Sequence, residues 1–418
     1  MIQKLKGTID ILPEEMPIWR MIEDKARKNA AKYGFAEIRT PILESTELFA
    51  RGVGEATDVV TKEMYTFSDR EARSLTMRPE GTAAIARALI ENGRCSDAMP
   101  VKYFYIYNCF RHEKPQAGRL REFWQFGVES FGANTPEADA DAIAVANSFL
   151  CDVGLKNVSL RINSIGCPEC RTTYRKALRE YFSSHEEELC ETCRKRLEIN
   201  PLRVLDCKSP ICSALAKDAP KTLEYLCDGC KKHMDRTLAL LDGFAIPYTV
   251  DTSIVRGLDY YTKTVFEFTS GDIGAQSAVG GGGRYDGLVK ELGGPDLSGV
   301  GFAIGINRVI LALKAQNFDA IETSVPDLYI APMGENASTK AAILAENLRR
   351  TGFAAESDIV GRSLKAQMKY ADKKKARFTL IVGDNEIESG KAIIKNMSDS
   401  SQSEVALCSE AIAEIIKK

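Results

Sequence analysis

An arginine follows a run of aromatic residues at Phe110-Arg111-His112-Glu113, and two further arginines, Arg119 and Arg121, come shortly after it. An arginine guanidinium binds a phosphate or a carboxylate through two parallel hydrogen bonds, whereas a lysine ammonium acts as a point charge. We therefore interpret this segment as part of a binding site for an anionic group.

The residues Gln125, Gly127 and Glu129 alternate along the aromatic segment that follows. Alternate residues of a strand share one face, so both polar side chains point to the same side. Polar groups on an apolar face need hydrogen-bond partners, and a polar ligand would supply them. A solvated edge hairpin is the alternative, but the interleaved aromatic residues Phe123 and Phe126 disfavour it.

Three other fragments combine charged or hydroxyl groups with the ends of predicted elements. Residues 78–82, Arg78-Pro79-Glu80-Gly81-Thr82, place a carboxylate and a hydroxyl at a loop-to-helix entry, where Thr82 would also serve simply as a helix cap. Residues 256–261, Arg256-Gly257-Leu258-Asp259-Tyr260-Tyr261, join a cation to two phenols. Residues 299–308 form a small-residue strand that runs into a helix carrying Arg308.

Two glycine-rich runs differ from the common nucleotide-binding loops. Residues 280–283 are followed by Arg284 rather than by the Lys-Ser/Thr of a P-loop. The run from Gly299 to Gly305 lacks the βαβ context and the later acidic residue of a dinucleotide-binding fold. A triphosphate would therefore have to be bound by arginines.

Cysteine spacing suggests metal binding in the middle of the chain. Eight cysteines fall between residues 167 and 230; six form C-x-x-C pairs, and Cys207 and Cys212 stand singly. Two pairs can supply a tetrahedral four-thiolate zinc site, so one or two zinc ions are arithmetically allowed; buried or free thiols are the alternative. The candidate ligands of at least one structural zinc are Cys167, Cys170, Cys190, Cys193, Cys227 and Cys230.

Length and composition limit the classes of protein. The 418 residues predict two or three domains, and the 44% hydrophobic content and net charge of −2 are typical of a globular protein. The sequence contains only three histidines, which excludes multi-histidine metal centres. A long apolar run and an export signal are both lacking, so we expect a cytoplasmic protein without a membrane partner.

Several elements must position the candidate residues. The aromatic segments 102–110 and 123–131 predict two antiparallel strands joined by a polar loop, and helices are predicted for 136–152 and 306–315. After Pro326 the pattern predicts alternating strands and helices, with strands at 328–331, 354–357 and 378–382 and helices at 338–350, 364–374 and 392–397. That period indicates a small α/β domain.

These motifs together resemble the histidyl-tRNA synthetase family of class II aminoacyl-tRNA synthetases. The Arg111 hairpin and residues 301–308 are similar to class II motifs 2 and 3, and residues 35–44 to the motif 1 used for dimerisation. Residues 256–262 and 278–286 resemble the two signature peptides of the family. The resemblance implies an α+β catalytic domain with an antiparallel sheet flanked by helices (1–165 and 248–322), a small cysteine-rich insertion (166–247) and a C-terminal α/β anticodon-binding domain (326–418).

The resemblance also implies substrates and residue roles. The substrates would be L-histidine, ATP with Mg²⁺, and tRNA, and the protein would be a homodimer. The resemblance assigns catalytic roles to Arg256, Arg111 and Arg308. It assigns ATP contacts to Arg111, Arg119, Arg121 and Arg308. The residues that would bind histidine are Glu80, Gly81, Thr82, Gln125, Glu129, Tyr260, Tyr261 and Tyr285.

Two regions offer basic groups to tRNA phosphates: the predicted hairpin tip at 114–120 and the basic stretch from Arg362 to Arg377. For the second region a solvated helix face is the competing interpretation.

Two other functions are compatible with part of the sequence. One is a non-catalytic, histidine-sensing regulatory subunit of ATP phosphoribosyltransferase; such paralogues lack the C-terminal domain and lose catalytic arginines, whereas this sequence retains Arg256, Arg308 and a domain after Pro326. The other is a zinc-dependent nucleic-acid-binding protein, which would leave the arginines without a role. Histidine-dependent exchange of pyrophosphate into ATP would distinguish the ligase from both.

Overall fold

The structure is a computed structural model that describes residues 1–55, 57–205, 207, 209–254, 257–274, 277–318 and 325–417. The chain forms two compact units, Met1–Ile321 and Glu322–Lys418. Across the described ranges, every helix is too short or too polar to span a bilayer.

Two sheets are built from the described strands of the first unit. In chain order these strands are β1 (Ala36–Glu37), β2 (Leu43–Ser45), β3 (Tyr65–Ser68), β4 (Ser74–Met77), β5 (Val101–Phe110), β6 (Glu122–Phe131), β7 (Val158–Ser164), β8 (Tyr248–Val250), β9 (Thr262–Ser270), β10 (Ala278–Arg284) and β11 (Gly299–Gly305). The large sheet has the order β1-β5-β6-β11-β10-β9-β7-β8, and the small one has the order β2-β4-β3.

The large sheet is antiparallel through its centre, as the family resemblance implies. From β5 across to β7 every neighbouring pair is antiparallel. At the two edges, β1 joins β5 and β8 joins β7 in parallel. The sheet is therefore mixed, with one parallel strand added at each edge of the predicted antiparallel arrangement.

The predicted hairpin is confirmed as the pair β5 and β6. Each strand begins one residue before its predicted start. Phe104 and Ile106 pack into the core on one face of the sheet, while Tyr105 and Tyr107 pack on the other. A strand that is buried on both faces shows a continuous apolar run rather than an alternating one, which explains the aromatic density of this segment.

Helices cover both faces of the large sheet. The described helices of this unit are α1 (Met16–Lys32), α2 (Thr46–Val53), α3 (Thr82–Glu91), α4 (Pro136–Asp152), α5 (Pro168–Ser183), α6 (Glu191–Ile199), α7 (Pro210–Asp218), α8 (Asp228–Gly243), α9 (Leu288–Glu291) and α10 (Ile306–Ala315). Trp19 of α1, Phe149 of α4 and Val309 of α10 share one core. Phe49 of α2 and Ile85 of α3 belong to the core on the opposite face.

The cysteine-rich insertion is helical. It contains α5 to α8 and lies between β7 and β8 in the chain. Its own core is small and includes Tyr174, Leu178, Phe182, Leu197 and Val204. Because few large side chains are buried here, the apolar core alone gives the segment limited stability.

The second unit is a five-stranded sheet with helices. Its described elements are β12 (Leu328–Pro332), α11 (Glu335–Arg350), β13 (Ala355–Ser357), α12 (Leu364–Lys373), β14 (Phe378–Val382), α13 (Asp384–Ser389), β15 (Lys391–Asn396), β16 (Gln402–Ala406) and α14 (Ser409–Ile416). The sheet order is β13-β12-β14-β15-β16, with β12 parallel to its neighbours and the last three strands antiparallel.

The predicted helix at 392–397 is wrong, because this segment is strand β15. Ala392 and Ile394 are buried whereas Ile393 is exposed, which is a period of two. The helix of this region is the short α13, which precedes the strand. Alternation of strands and helices therefore fails at this point, and the sheet ends in an antiparallel pair.

Candidate active site

A cavity of about 200 Å³ is lined by residues of β6, β10 and β11 and by the N-terminus of α3. Most of the predicted substrate-binding residues lie on its wall. They are Glu80, Gly81, Thr82, Arg111, Arg119, Gln125, Tyr260, Tyr261 and Arg308. The fold thus brings together residues that are far apart in the sequence.

Three of the predicted residues that the structure describes fall elsewhere. Glu129, Tyr285 and Arg121 are not among the described residues that line the cavity. Glu129 and Tyr285 are buried beneath it, since Glu129 bonds directly to the lining residue Thr82. A further predicted residue, Arg256, lies outside the described residues.

A buried carboxylate stands at the start of α3. The two oxygens of Glu80 accept hydrogen bonds from the backbone N–H groups of Thr82 and Ala83, each at 2.8 Å. The hydroxyl of Tyr260 donates to the same carboxylate at 3.4 Å. Burial raises the pKa of Glu80, while the two N–H groups act in the opposite direction. These bonds hold a hydrogen-bond acceptor in one orientation at the cavity wall.

A second buried carboxylate lies one layer behind the first. Glu129 accepts a hydrogen bond from Thr82 Oγ1 at 2.7 Å and another from the hydroxyl of Tyr285. Burial raises the pKa of Glu129 to about 8. Because the Thr82 hydroxyl donates its hydrogen bond to Glu129, the Thr82 oxygen is left to accept one from any donor in the cavity.

Glycines make room for these groups on the neighbouring strands. The Tyr105 ring lies directly over Gly127 of β6, and a Cβ at residue 127 would overlap that ring. Similarly, a Cβ at Gly301 of β11 would overlap a carboxylate oxygen of Glu129. The glycines at these two positions therefore permit a close approach of side chain to backbone.

Two arginines are fixed on the wall by backbone carbonyls. Arg111 Nε donates to Pro79 O at 2.9 Å, and its guanidinium lies over the Phe123 ring, 5.5 Å from the centroid. Arg308, in the first turn of α10, donates from Nε to Gly118 O at 2.9 Å and from Nη1 to Ala278 O at 2.5 Å. Both guanidiniums keep further N–H groups for a ligand.

The cations of the site repel one another. Burial, followed by the charges of neighbours that include Arg119 and Arg111, lowers the pKa of Arg308. Glu113 offsets part of this repulsion, because its Oε2 lies 2.7 Å from Arg119 Nε and its Oε1 lies 4.0 Å from Arg111 Nη1. An anionic ligand would relieve the remainder, so the electrostatics favour phosphate or carboxylate binding.

Sequence reasoning missed the organising role of Glu113. Besides the two contacts above, its backbone carbonyl accepts from Arg121 Nε at 3.2 Å, so it contacts all three arginines of the hairpin. The signal was its position two residues after Arg111. Glu267 and Asn307 also line the cavity; Asn307 Oδ1 accepts from the Trp124 N–H at 2.7 Å and ties α10 to β6.

A buried charge network beside β10 was also missed. Asp139 of α4 accepts from Arg284 Nε at 2.9 Å, from His233 Nε2 at 2.6 Å and from Thr264 Oγ1 at 2.6 Å. Burial alone would raise the pKa of Asp139, but the contacts with His233 and Arg284 lower this pKa below its usual value. The network anchors the glycine-rich strand to α4 and α8. Its members are too far apart in the sequence for any local pattern to predict it.

The cysteines of the insertion form two groups of four. We call Cys167, Cys170, Cys227 and Cys230 the base cluster, and Cys190, Cys193, Cys207 and Cys212 the inner cluster. Within each group all four sulfur atoms lie within 4.8 Å of one another. The predicted pairs are thus divided between two centres, and the two single cysteines complete the inner cluster.

Comparison with known proteins gives consistent results. A family model described as histidyl-tRNA synthetase matches residues 7–309, and a model described as an anticodon-binding domain matches residues 327–418. A histidine–tRNA ligase from Desulforamulus reducens is 50% identical over 402 residues, which are 96% of each chain. The crystal structure of apo S. aureus histidyl-tRNA synthetase matches with a TM-score of 0.84 and 38% identity over 100% of both chains.

A more distant structure bears on the non-catalytic alternative. It is described as an ATP phosphoribosyltransferase regulatory subunit/histidyl-tRNA synthetase from Bacillus halodurans, and it covers 92% of this chain and 98% of that chain. Its TM-score is 0.65 at 22% sequence identity, which establishes a common fold and nothing more.

Proposed function

This chain belongs to the histidyl-tRNA synthetase family, and on that premise we propose which residues bind the substrates and carry the reaction. Its function is the ligation of histidine to tRNA, as in relatives of 48–50% identity. The regulatory-subunit alternative is supported only by a distant match of fold.

The ammonium group of histidine is assigned to the acceptors beside α3. Glu80 offers an oriented carboxylate, and the Thr82 oxygen is restricted to accepting by its bond to Glu129. The Gln125 side chain lines the same cavity and supplies a further acceptor. Three acceptor oxygens that converge on one cavity suit a primary ammonium ion, which carries only donors.

The imidazole ring is assigned to the aromatic side of the cavity. Tyr260 and Tyr261 line it with ring centroids 4.7 Å apart, and Tyr285 lies behind Tyr260 at 5.6 Å. Glu129 supports this side from below through Thr82 and Tyr285. Phenol groups that hydrogen-bond the ring nitrogens, with Glu129 holding Tyr285 in place behind them, would exclude apolar analogues of similar size.

ATP is assigned to the arginines, with Mg²⁺ entering as part of the substrate. Arg111 would contact the α-phosphate and the histidine carboxylate, while Arg308, Arg119 and Arg121 would bind the remaining phosphates. Glu113 and Glu267 line the same cavity and offer the oxygen ligands that Mg²⁺ prefers. The role of Arg256 at the α-phosphate rests on the sequence alone.

The reaction proposed is adenylation followed by acyl transfer. A carboxylate oxygen of histidine attacks the α-phosphorus, and the bond to pyrophosphate breaks, with its electron pair leaving on pyrophosphate. A ribose hydroxyl of the tRNA end then attacks the acyl carbon; the bond between this carbon and the phosphate oxygen breaks, AMP leaves with the electron pair, and the hydroxyl proton passes to the released phosphate or to water. Charge builds on the α-phosphate oxygens in the first step, so Arg111 contributes most by electrostatic stabilisation from a fixed position.

Domain roles complete the proposal. We assign catalysis to residues 1–165 and 248–322 and anticodon binding to residues 326–418. We assign a structural role to the insertion, residues 166–247, with at least one zinc ion bound there.

The basic side chains of α12 are candidates for tRNA binding. Lys365, Lys369 and Lys373 are exposed on this helix and would contact tRNA phosphates. Arg362 and Arg377 are instead paired with Asp358 and Asp327, at 2.6 and 2.9 Å.

We propose a homodimer located in the cytoplasm. Ile42, Leu43 and Phe67 are 42–45% exposed on or beside the small sheet, in and near the segment that resembles motif 1. Apolar side chains exposed together are typical of a subunit interface.

The observation that carries the proposal is the convergence of Glu80 and Thr82 with Arg111 and Arg308 on one cavity. Histidine-dependent exchange of labelled pyrophosphate into ATP tests it. We expect Arg308→Ala and Arg256→Ala each to lower the exchange rate about 100-fold or more. Arg236→Ala, whose exposed side chain pairs with Glu137, is the control and should retain the rate. Wild-type protein without exchange activity would refute the assignment.

A further inference from the structure

The eight thiols of the insertion have the mutual distances of metal ligands. In a tetrahedral four-thiolate zinc site, with Zn–S bonds of about 2.3 Å, the sulfur atoms lie about 3.8 Å apart. The sulfurs of Cys167 and Cys170 are 3.5 Å apart in the base cluster, and those of Cys190 and Cys207 are 3.9 Å apart in the inner cluster. A disulfide would require about 2.05 Å, and all these cysteines are free.

Backbone N–H groups point at the sulfur atoms of both clusters. Cys227 N–H donates to Cys170 Sγ at 3.1 Å in the base cluster. In the inner cluster, Cys190 N–H donates to Cys212 Sγ at 3.3 Å and Ser209 N–H to Cys207 Sγ at 3.5 Å. Such donors stabilise the thiolate form, which is the form that binds a metal.

Helix starts fix the paired ligands in place. The first cysteine of each C-x-x-C pair is the residue before a helix: Cys167 precedes α5, Cys190 precedes α6 and Cys227 precedes α8. The second cysteine of each pair therefore lies in the first turn. Because two of the ligand sulfur atoms come from one rigid helix start, the protein loses little conformational entropy when a metal binds.

From these observations we infer that the insertion holds two structural zinc ions, one in the base cluster and one in the inner cluster. Cys207 and Cys212 then bind the inner zinc ion directly, as the paired cysteines Cys190 and Cys193 do. Four-thiolate coordination is closed, so neither ion carries a reactive water. Each ion would add binding free energy to the folding of a segment whose apolar core is small.

The base cluster has a further consequence for the histidine pocket. It joins the start of α5 to the start of α8, and Arg171 stands one turn after Cys167, with its N–H bonded to Cys167 O at 2.9 Å. The Arg171 guanidinium donates to the carbonyl oxygens of Tyr261 at 3.2 Å and of Asp259 at 3.5 Å.

Backbone hydrogen bonds also join the start of the insertion to the segment that follows Tyr261. Lys263 N–H donates to Gly166 O at 2.9 Å, and Ile165 N–H donates to Lys263 O at 2.8 Å. Arg171 is thus a positioning residue for the segment that carries Tyr260 and Tyr261. This part of the inference rests on the proposed function, because it takes those tyrosines as the imidazole-binding wall.

Metal stoichiometry tests the two sites in the full-length protein. Elemental analysis after purification without chelators should give two zinc ions per chain. The pair of substitutions Cys170→Ser and Cys230→Ser should leave one ion, as should Cys193→Ser with Cys212→Ser. Cys151→Ser changes an exposed cysteine outside both clusters and should retain two.

Wild-type protein provides a measurement that does not depend on the folding of a variant. Zinc X-ray absorption should show four sulfur neighbours at about 2.3 Å and no nitrogen or oxygen neighbour. Iron in place of zinc, fewer than two zinc ions in the wild type, or two ions retained by either cluster variant would overturn the inference.

Steady-state kinetics test the link to the pocket. We expect the base-cluster variant to raise the KM for histidine about five-fold or more with the KM for ATP unchanged, and the inner-cluster variant to alter neither. Arg171→Ala should reproduce the histidine effect while retaining two zinc ions. Equal kinetic effects of the two cluster variants would refute the link. Failure of the proposed function would appear instead as loss of exchange activity in zinc-loaded wild-type protein.

Discussion

At the level of single residues, some side chains of the site line the cavity and would contact a ligand, whereas others orient those lining side chains. Thr82 contacts the cavity, but Glu129 determines which way its hydroxyl proton points. Arg111 contacts the cavity, while Glu113 and Pro79 O determine where its guanidinium lies. Substitution of an orienting residue should therefore weaken the binding of one substrate more than that of the other.

Glu129→Ala should weaken histidine binding about ten-fold or more and ATP binding much less. The change removes the acceptor that orients Thr82 and leaves the arginine contacts in place, and one hydrogen bond of this kind corresponds to roughly 1–2 kcal/mol. Separate equilibrium titrations with histidine and with ATP measure the two losses. Equal losses for the two ligands would contradict the role given to Glu129.

The pH dependence of stability provides a second test of the same side chain. The pKa of Glu129 is raised from 4.5 to about 8, mainly by burial, so the folded state retains a proton that the unfolded state has released. Stability from this group is fully present below pH 4.5 and is lost as pH rises towards 8. Glu129→Gln should therefore flatten the decline of the melting temperature between pH 5.5 and 8.5, measured against wild type in the same buffers. A parallel decline in both proteins would contradict the shifted pKa.

At the scale of elements, the site depends on side chains of one strand lying over glycines of the next. Tyr105 of β5 pairs in register with Gly127 of β6, and its ring stacks on Tyr107 with centroids 4.4 Å apart. This contact determines the height of the cavity floor beside Gln125. The strands are thus more than a scaffold, because their spacing determines the shape of the pocket.

Gly127→Ala should destabilise the protein by roughly 1–3 kcal/mol, because its Cβ would overlap the Tyr105 ring in a closely packed layer. We also expect a higher KM for histidine, since the floor must shift to accommodate the methyl group. Thermal unfolding and pyrophosphate exchange measure the two effects.

Gly243→Ala is the matched control, because a Cβ at this exposed end of α8 would meet no atom within 4 Å among the described residues. Its stability should equal that of the wild type or exceed it slightly. If Gly127→Ala behaves like this control, the close contact between Tyr105 and β6 is not important for the pocket.

At the scale of the whole molecule, the chain divides into two units with separate cores. The second unit buries Leu328, Leu344, Phe378 and Ile412 in a core of its own. A unit with its own hydrophobic core can fold independently. Adenylation and recognition of the tRNA body should therefore be separable by truncation.

Removal of residues 326–418 should leave histidine-dependent pyrophosphate exchange measurable and lower the rate of tRNA charging severely, by about 100-fold or more. The cavity to which we assign adenylation is lined by residues of the first unit, whereas the basic side chains of α12 are lost with the second. Aminoacylation with labelled histidine measures charging on the same preparation. Charging at the full rate would show that the basic face of α12 is only a solvated surface.

Local sequence patterns were sufficient to predict much of this protein. The aromatic strands, the helices at 136–152 and 306–315, and the face shared by Gln125 and Glu129 follow from residue spacing, because helices and strands impose their own periods. The predicted helix at 392–397 is wrong, because this segment pairs with β14 and β16 as strand β15. Local preference is a weak guide for short segments, since sheet pairing decides them.

The residue types of the site and their local spacing can be read from the chain, whereas the contacts between distant residues depend on the fold. The hairpin arginines, Glu80 and Arg308 could be selected from motifs, but the placement of Glu129 beneath the cavity depends on the stacking of β5, β6 and β11. The Asp139 network and the division of the eight cysteines into two clusters likewise join residues remote in sequence. The physical reason is that burial and hydrogen bonding depend on neighbours across the fold, and these neighbours have no fixed spacing along the chain.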